Sequence, residues 1–158
     1  GTKAMSGRLE QIWTKRFHRG PMEPVSTARL HVGCGLADNA DLGGKRQITL
    51  ISRERWKIIT NAMDVVLDPI LRRANLLVSG INLQESRNRV IRIGPCRIRL
   101  VGETRPCERM DLVHPGLCAA LDSDWNGGAY GEVLDSGEIT INDEIRWEQA
   151  RLHLDKKP

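Results

Sequence analysis

A single cysteine in this chain stands between fixed positive charges. The segment GETRPCERM, residues 102–110, places Cys107 two residues from Arg105 and two residues from Arg109. A nearby guanidinium group favours the thiolate form of cysteine, which attacks electrophiles, carries sulfur and binds soft metals. The alternative is that Cys107 is a small apolar residue at the end of a strand while both arginines point to solvent, because unpaired cysteines are buried more often than they react. Both interpretations stay open on this segment alone.

The other cysteines and the histidines do not form a metal-binding or redox motif. Cysteines stand at positions 34, 96, 107 and 118 with no C-x-x-C pair, and histidines at 18, 31, 114 and 153 include no H-x-x-x-H pair. We therefore expect free thiols in a reducing cytoplasm and no zinc hydrolase. Cys96 shares an alternating apolar face with Ile98 and Leu100 and is predicted to lie in the core. Cys118 is predicted to pack, and Cys34, flanked by glycines, to be exposed.

Arginines are concentrated in one stretch of the chain. Between Arg72 and Arg109 there are nine arginines, no lysine and three acidic residues. The planar guanidinium group binds phosphate or carboxylate through two parallel hydrogen bonds, so the stretch favours an anionic partner, although several of the nine are expected on a solvated strand face. Nucleic acid is the less favoured anionic partner, because four Trp, one Tyr and one Phe leave few rings for base stacking.

The elements that must position these residues are mostly short strands. In CRIRLV, residues 96–101, apolar and arginine side chains alternate, which is typical of a half-buried strand. Ser52 is predicted to cap a helix that runs to about Asp64, and a shorter helix is predicted from Pro115 through Leu121. The predicted strands are Leu9–Trp13, Thr27–Val32, Gln47–Ile51, Leu76–Ser79, Val90–Ile93, 96–101, Tyr130–Leu134, Glu138–Ile141 and Glu144–Trp147.

This pattern predicts a mostly β fold, a closed or nearly closed β-barrel of about seven strands with one or two short flanking helices. The length of 158 residues suits one domain. We assign the domain to residues 8–147, a vector-derived remnant to residues 1–7 and a charged tail to residues 148–158. No apolar run reaches the roughly 18 residues of a membrane span and no signal peptide is recognisable, so we expect a cytoplasmic protein without membrane contact.

Four separated blocks of the sequence resemble one family. They are GLADNADLGGKRQITLI (35–51), RRANLLVSGINL (72–83), IGPCRIRLVGETRPCERM (93–110) and GGAYGEVLDSGEITINDEI (127–145). In this order and spacing they are similar to a MOSC domain, the domain found at the C-terminus of molybdenum-cofactor sulfurases and in the amidoxime-reducing component. The resemblance covers nearly the whole chain.

The resemblance implies a barrel-like fold that binds the molybdenum cofactor, molybdopterin, or handles its sulfur. It places the family's functional cysteine on Cys107, as persulfide carrier or as molybdenum ligand. The R-x-N pattern of the family falls on Arg73 and Asn75, and its basic segment on Lys45 and Arg46. Together with Arg105, these residues are expected to converge on one concave surface that includes the Cys107 sulfur.

The resemblance leaves the activity open between two forms. One is sulfur transfer, in which a cysteine desulfurase supplies sulfur, since no pyridoxal-phosphate domain with a Schiff-base lysine is recognisable here. The other is molybdenum-dependent reduction of N-hydroxylated compounds with a redox partner protein. A basic β-barrel module that binds nucleic acid or a protein without catalysis is the alternative from another class. Where many relatives have Gly-Asp after the first Gly-Leu pair, this chain has Ala37-Asp38-Asn39, so a role for that acid is not carried over.

Overall fold

The computed structural model describes residues 6–40 and 43–149. The predicted N-terminal remnant, apart from its last two residues, and the predicted C-terminal tail, apart from its first two, lie outside the described residues. Among the described residues, no helix combines the length and the apolar character needed to cross a membrane.

The described strands number eleven, and three short α-helices and a 3₁₀ helix lie between them. The strands are β1 (Gly7–Thr14), β2 (Glu23–Val25), β3 (Thr27–His31), β4 (Gly35–Leu36), β5 (Ile48–Ser52), β6 (Leu76–Ser79), β7 (Val90–Ile93), β8 (Cys96–Glu103), β9 (Ala129–Val133), β10 (Gly137–Thr140) and β11 (Glu144–Trp147). The helices are α1 (Arg53–Ala62), the 3₁₀ helix (Pro69–Arg72), α2 (Met110–Val113) and α3 (Leu117–Leu121).

Seven of the strands close into a barrel, which confirms the predicted fold class. Their order is β11-β7-β8-β9-β5-β6-β1, and pairing of β1 with β11 completes the ring. Neighbours in the ring run antiparallel except β5 and β6, which are parallel. Strand β2 pairs with the C-terminal end of β1, and β10, β3 and β4 form a separate small sheet.

Alternation of side chains fills the barrel interior. In β8 the residues Cys96, Ile98 and Leu100 are fully buried, while the arginines between them are not. They join a core cluster of apolar side chains contributed by every strand of the ring. In β8 the period-2 pattern therefore predicted correctly which face of the strand is apolar.

A second, smaller core lies between α1 and the helices that follow β8. The Ser52 side chain accepts a hydrogen bond from the Arg55 amide at 3.2 Å and caps α1, as predicted. Trp56 and Ile59 pack against Met110 and, in the same cluster, against Leu117 and Leu121. This packing fixes the segment that carries Cys107 to the side of the barrel.

Short elements and helix ends are where the sequence prediction was incomplete. All nine predicted strands are present, but β2, β4 and α2 were not predicted, because two to four residues are too few to show a period. Helix α1 ends at Ala62, before the predicted Asp64, which adopts a positive φ of 55°. The last helix begins at Leu117 and not at Pro115, since Gly116 has a φ of 89° and cannot belong to it.

Candidate functional site

Three segments that are far apart in the sequence meet at a cleft of about 540 Å³. They are the loop before β5, the turn between the 3₁₀ helix and β6, and the stretch that follows β8. All six residues chosen from the sequence line this cleft, namely Lys45, Arg46, Arg73, Asn75, Arg105 and Cys107. Their roles in binding stay predictions, but their convergence makes one concave surface from positions about 60 residues apart.

Cys107 is exposed in this cleft. Its carbonyl oxygen accepts a hydrogen bond from the Met110 amide at 3.0 Å, which begins the helical turn of α2. Met110 itself is buried in the second core beside Trp56. The backbone of Cys107 is thus held by packing while its thiol faces solvent, so an apolar core role does not apply to it.

The cationic side chain most deeply placed in the cleft is Arg72, which the sequence reasoning passed over in favour of Arg73. Arg72 is only 9% exposed, and it donates from Nε to the Gly127 carbonyl at 3.1 Å and from Nη2 to the Thr104 carbonyl at 3.2 Å. Burial, and next the positive charge of Arg46, lower the pKa of Arg72. No carboxylate among the described residues pairs with it. An uncompensated buried cation is costly, and such groups mark sites that bind anions.

The neighbouring Thr104 also has an unusual environment. It is 9% exposed and lines the cleft, yet its hydroxyl has no hydrogen-bond partner among the described residues. Buried polar atoms without partners are rare in folded proteins, and each calls for an explanation. No sequence pattern distinguishes this threonine from others.

The basic loop before β5 is held by one buried glutamine. Gln47 donates from Nε2 to the Gly44 carbonyl at 3.0 Å, and its Oε1 accepts from the Val133 amide at 2.9 Å. The two cations that precede it, Lys45 and Arg46, are exposed. The Arg46 guanidinium also lies 5.4 Å from the centre of the Tyr130 ring. The loop therefore presents two positive charges from a fixed base.

Arg73 and Asn75 line the same cleft in different ways. Arg73 is exposed, has a φ of 67°, and donates from Nη2 to the Gly20 carbonyl at 2.6 Å. Asn75 is 7% exposed, and its Oδ1 accepts from the amide and the hydroxyl of Thr49 at 3.1 and 3.2 Å. Its Nδ2 donates to the Trp13 carbonyl at 3.3 Å. The Asn75 amide thus joins β5 and β1 to the start of β6, which is a structural task.

Arg105 is 63% exposed at the rim of the cleft and carries counter-charges. It donates from Nε to Asp122 at 2.9 Å and lies 4.0 Å from Glu103. The hydrogen bond that Arg105 donates to Asp122 is the main reason that the pKa of Arg105 is raised. Its charge is therefore partly neutralised before any ligand binds.

Five arginines of the arginine-rich stretch lie outside the cleft and already have partners, three of them on β7 and β8 and two in the loop before β7. Three form ion pairs with carboxylates and two lie over indole rings. The ion pairs are Arg92–Glu148 at 3.1 Å, Arg97–Asp135 at 2.9 Å and Arg99–Glu132 at 2.7 Å, and the ring contacts are Arg87 with Trp125 at 5.9 Å and Arg89 with Trp147 at 3.8 Å. The interpretation as a solvated strand face therefore holds for Arg92, Arg97 and Arg99, whereas Arg87 and Arg89 lie in a loop.

The remaining thiols differ from Cys107. Cys96 is buried as predicted, and burial raises the pKa of its thiol. Cys118 is half-buried, and burial followed by the charges of Asp111 and Asp122 raises its pKa. Cys34 is exposed, as predicted.

Comparisons with known proteins bear on the family and on the fold. The model of the MOSC domain matches residues 14–146. The solved structure of YuaD from Bacillus subtilis is similar with a TM-score of 0.73 and 20% identity, covering 90% of this chain and 96% of that chain. The structure of YiiM from Geobacillus stearothermophilus has a TM-score of 0.74 and 14% identity, and the match covers 90% of this chain and 75% of that chain. The structure of YiiM from Escherichia coli has a TM-score of 0.72 and 14% identity, and the match covers 94% of this chain and 72% of that chain. No curated protein matches the chain. At these identities the solved structures show the shared fold.

Proposed function

Because the chain belongs to the MOSC domain family, a family known for binding the molybdenum cofactor, we propose that its cleft binds this cofactor and that Cys107 supplies the reactive thiolate. The observation that carries the proposal is an exposed thiol in a cleft lined by Lys45, Arg46, Arg72 and Arg73. A soft donor and a set of cations in one cavity match a ligand with a soft metal and dense negative charge.

The donor set suits the anionic part of the cofactor, a pterin dithiolene that ends in a phosphate. Lys45 and Arg46 are exposed on the fixed loop, and Arg73 is anchored at its far end by the Gly20 carbonyl. These three would hold the cofactor's negative charge, with Arg105 at the rim. Asn75 would act from behind, since its amide holds the strands under the cleft.

The donor set also suits a metal that arrives with its own ligands. Among the residues described, no group of three or more His, Cys, Asp or Glu side chains is placed to hold a metal ion. The cleft offers one thiolate, which cannot retain a bare ion but can complete the coordination of a metal already held by a dithiolene. When bound, the cofactor would supply two-electron redox chemistry at that metal.

The same thiolate serves both activities that the family implies. As a sulfur carrier, the Cys107 thiolate attacks the outer sulfur of a desulfurase persulfide. It takes that sulfur as its own persulfide and releases the desulfurase thiolate. As a small oxidoreductase, Cys107 would hold the metal of the bound cofactor, a redox partner protein would supply the electrons, and the substrate would be an N-hydroxylated compound. In both cases the thiolate form of Cys107 would be the reacting species.

Replacing Cys107 with serine tests this function. Serine is nearly isosteric, but it neither supplies a soft thiolate at neutral pH nor carries a second sulfur. In a host that makes the cofactor, we expect wild-type protein to carry molybdenum and pterin, or a persulfide seen as one added sulfur by mass spectrometry. Cys107→Ser should lose both and change the free energy of unfolding by less than about 1 kcal/mol.

Two controls accompany this variant. Cys34→Ser removes another exposed thiol and Cys118→Ser a half-buried one, and both should keep metal, pterin and persulfide at wild-type levels. A Cys107→Ser protein that unfolds at lower temperature yet carries the cofactor normally would show that Cys107 is structural.

A further inference from the structure

We propose that the Arg72 guanidinium and the Thr104 hydroxyl form an oxyanion subsite at the floor of the cleft, next to Cys107. The subsite takes a phosphate or carboxylate group of the molecule that reacts at this thiol. It rests on the proposed function only in treating the cleft as the binding site, and it requires no molybdenum.

The first step is the unused donor capacity of Arg72. A guanidinium group has five N–H donors, and the two hydrogen bonds of Arg72 go to the carbonyls of Gly127 and Thr104. The three remaining donors have no acceptor among the described residues. Because the side chain is 9% exposed and lines the cleft, an anion in the cleft is what these donors can reach.

The second, independent step is the hydroxyl of Thr104. It is buried without a partner, while the carbonyl of the same residue accepts from Arg72 at 3.2 Å. Among the described residues the Thr104 hydroxyl therefore has no partner, and the guanidinium that contacts the same residue keeps three N–H donors without an acceptor. Ser86 has the other buried hydroxyl without a partner among the described residues, but it does not line the cleft. The Thr104 hydroxyl can donate to the same ligand oxygen that the guanidinium binds.

The third step is the backbone at Gly127. A Cβ atom there would fall 2.3 Å from the Thr104 carbonyl oxygen and 3.2 Å from Arg72 Nη2. Glycine is therefore needed for the contact that aims Arg72. The space beside Gly127 is therefore taken by the protein's own carbonyl and guanidinium groups.

The position of the subsite relates it to Cys107. Thr104 lies three residues before Cys107, and the side chain of Arg72 lines the same cleft as both of these residues. An oxyanion bound by Arg72 and Thr104 would therefore sit beside the reactive sulfur. This arrangement orients an anionic molecule toward the thiol.

The test uses the whole 158-residue chain purified without the molybdenum cofactor, and alkylation of Cys107 as the measurement. Iodoacetate carries a carboxylate and iodoacetamide is its neutral counterpart, and modification of each cysteine is followed by peptide mass spectrometry. We expect millimolar inorganic phosphate to slow the reaction of Cys107 with iodoacetate, with the rate at the exposed Cys34 unchanged as an internal control. A parallel series with acetate identifies which anionic group the subsite prefers. If phosphate protects at the lower concentration, the ligand carries a phosphoryl group, and if acetate does, the ligand carries a carboxylate.

Thr104→Val is the decisive variant, because it keeps the shape of the side chain and removes only a hydroxyl that makes no hydrogen bond to the described residues. We expect it to fold as wild type and to need about tenfold more phosphate for the same protection, which corresponds to one hydrogen bond to a charged group. Arg72→Gln should abolish the protection. Ser86→Ala, which removes the matched hydroxyl outside the cleft, should leave it unchanged.

Three results would overturn the subsite. The first is that phosphate protects Cys107 equally well in Thr104→Val and in wild type. The second is that Ser86→Ala loses as much protection as Thr104→Val, and the third is that neither anion protects Cys107 in the wild-type protein. None of these measurements involves molybdenum, so the subsite and the proposed cofactor function can fail separately.

Discussion

Replacing Asn75 with alanine separates a structural role of this residue from the ligand role that the family resemblance implies. The change removes three hydrogen bonds, two accepted from Thr49 and one donated to the Trp13 carbonyl. The Thr49 hydroxyl can turn to another acceptor, whereas the Thr49 amide and the Trp13 carbonyl lose a partner in the protein. A buried group without a partner costs about 1–3 kcal/mol, so we expect a loss of about 2–4 kcal/mol in the free energy of unfolding. Because Thr49 lines the cleft, water can replace part of its lost hydrogen bonding. The total loss should therefore stay below the sum of the two largest single costs.

Thermal unfolding followed by circular dichroism measures this loss. In a domain of this size each kcal/mol lowers Tm by about 2–4 °C, so Asn75→Ala should unfold about 5–15 °C below wild type. Asn82→Ala is the matched control. The side chain of Asn82 is exposed and accepts a hydrogen bond from the Gln84 amide at 3.0 Å, so its replacement should change stability by less than about 0.5 kcal/mol. Suppose that Asn75→Ala unfolds at the same temperature as wild type, but phosphate no longer protects its Cys107 from alkylation. Our structural assignment of Asn75 would then be wrong.

Two further predictions concern the thiols and the outer face of the barrel. In iodoacetamide at pH 7.5, the exposed thiols of Cys107 and Cys34 should react first. Cys118 should react more slowly, because burial and the charge of Asp111 raise the pKa of its thiol, and Cys96 should react only on unfolding. Fast modification of Cys96 in folded protein would contradict its place in the core. The hydrogen bond from Arg97 holds the pKa of Asp135 below its ordinary value, so its stabilisation is present at neutral pH and is lost as pH falls below about 4. Asp135→Asn should therefore lower Tm slightly at pH 7, and its difference from wild type should shrink as pH falls below about 4. A difference that does not change with pH would contradict this assignment.

Local pattern was sufficient for the strands and for one helix. Strand β7, Val90–Ile93, and strand β11, Glu144–Trp147, begin and end where the alternation and the turn residues place them. The cap at Ser52 is likewise a property of a few adjacent residues. Four sequence blocks in order were enough to identify the family and hence the closed barrel. These features depend on interactions within about ten residues, or on a pattern that can be recognised in the sequence without knowing which residues are in contact.

What each charged or polar side chain does in the cleft was decided by the tertiary structure. In the pair Arg72-Arg73 the sequence offers two equal cations. Arg72 becomes the buried one because its acceptors are the carbonyls of Thr104 and Gly127, 32 and 55 residues away. Asn75 is occupied for the same reason, since its donor and acceptor partners lie in strands distant in sequence. Alternation shows that a side chain leaves the core, but whether it then meets a carboxylate, a carbonyl or an open cleft depends on which segments the closed barrel brings together.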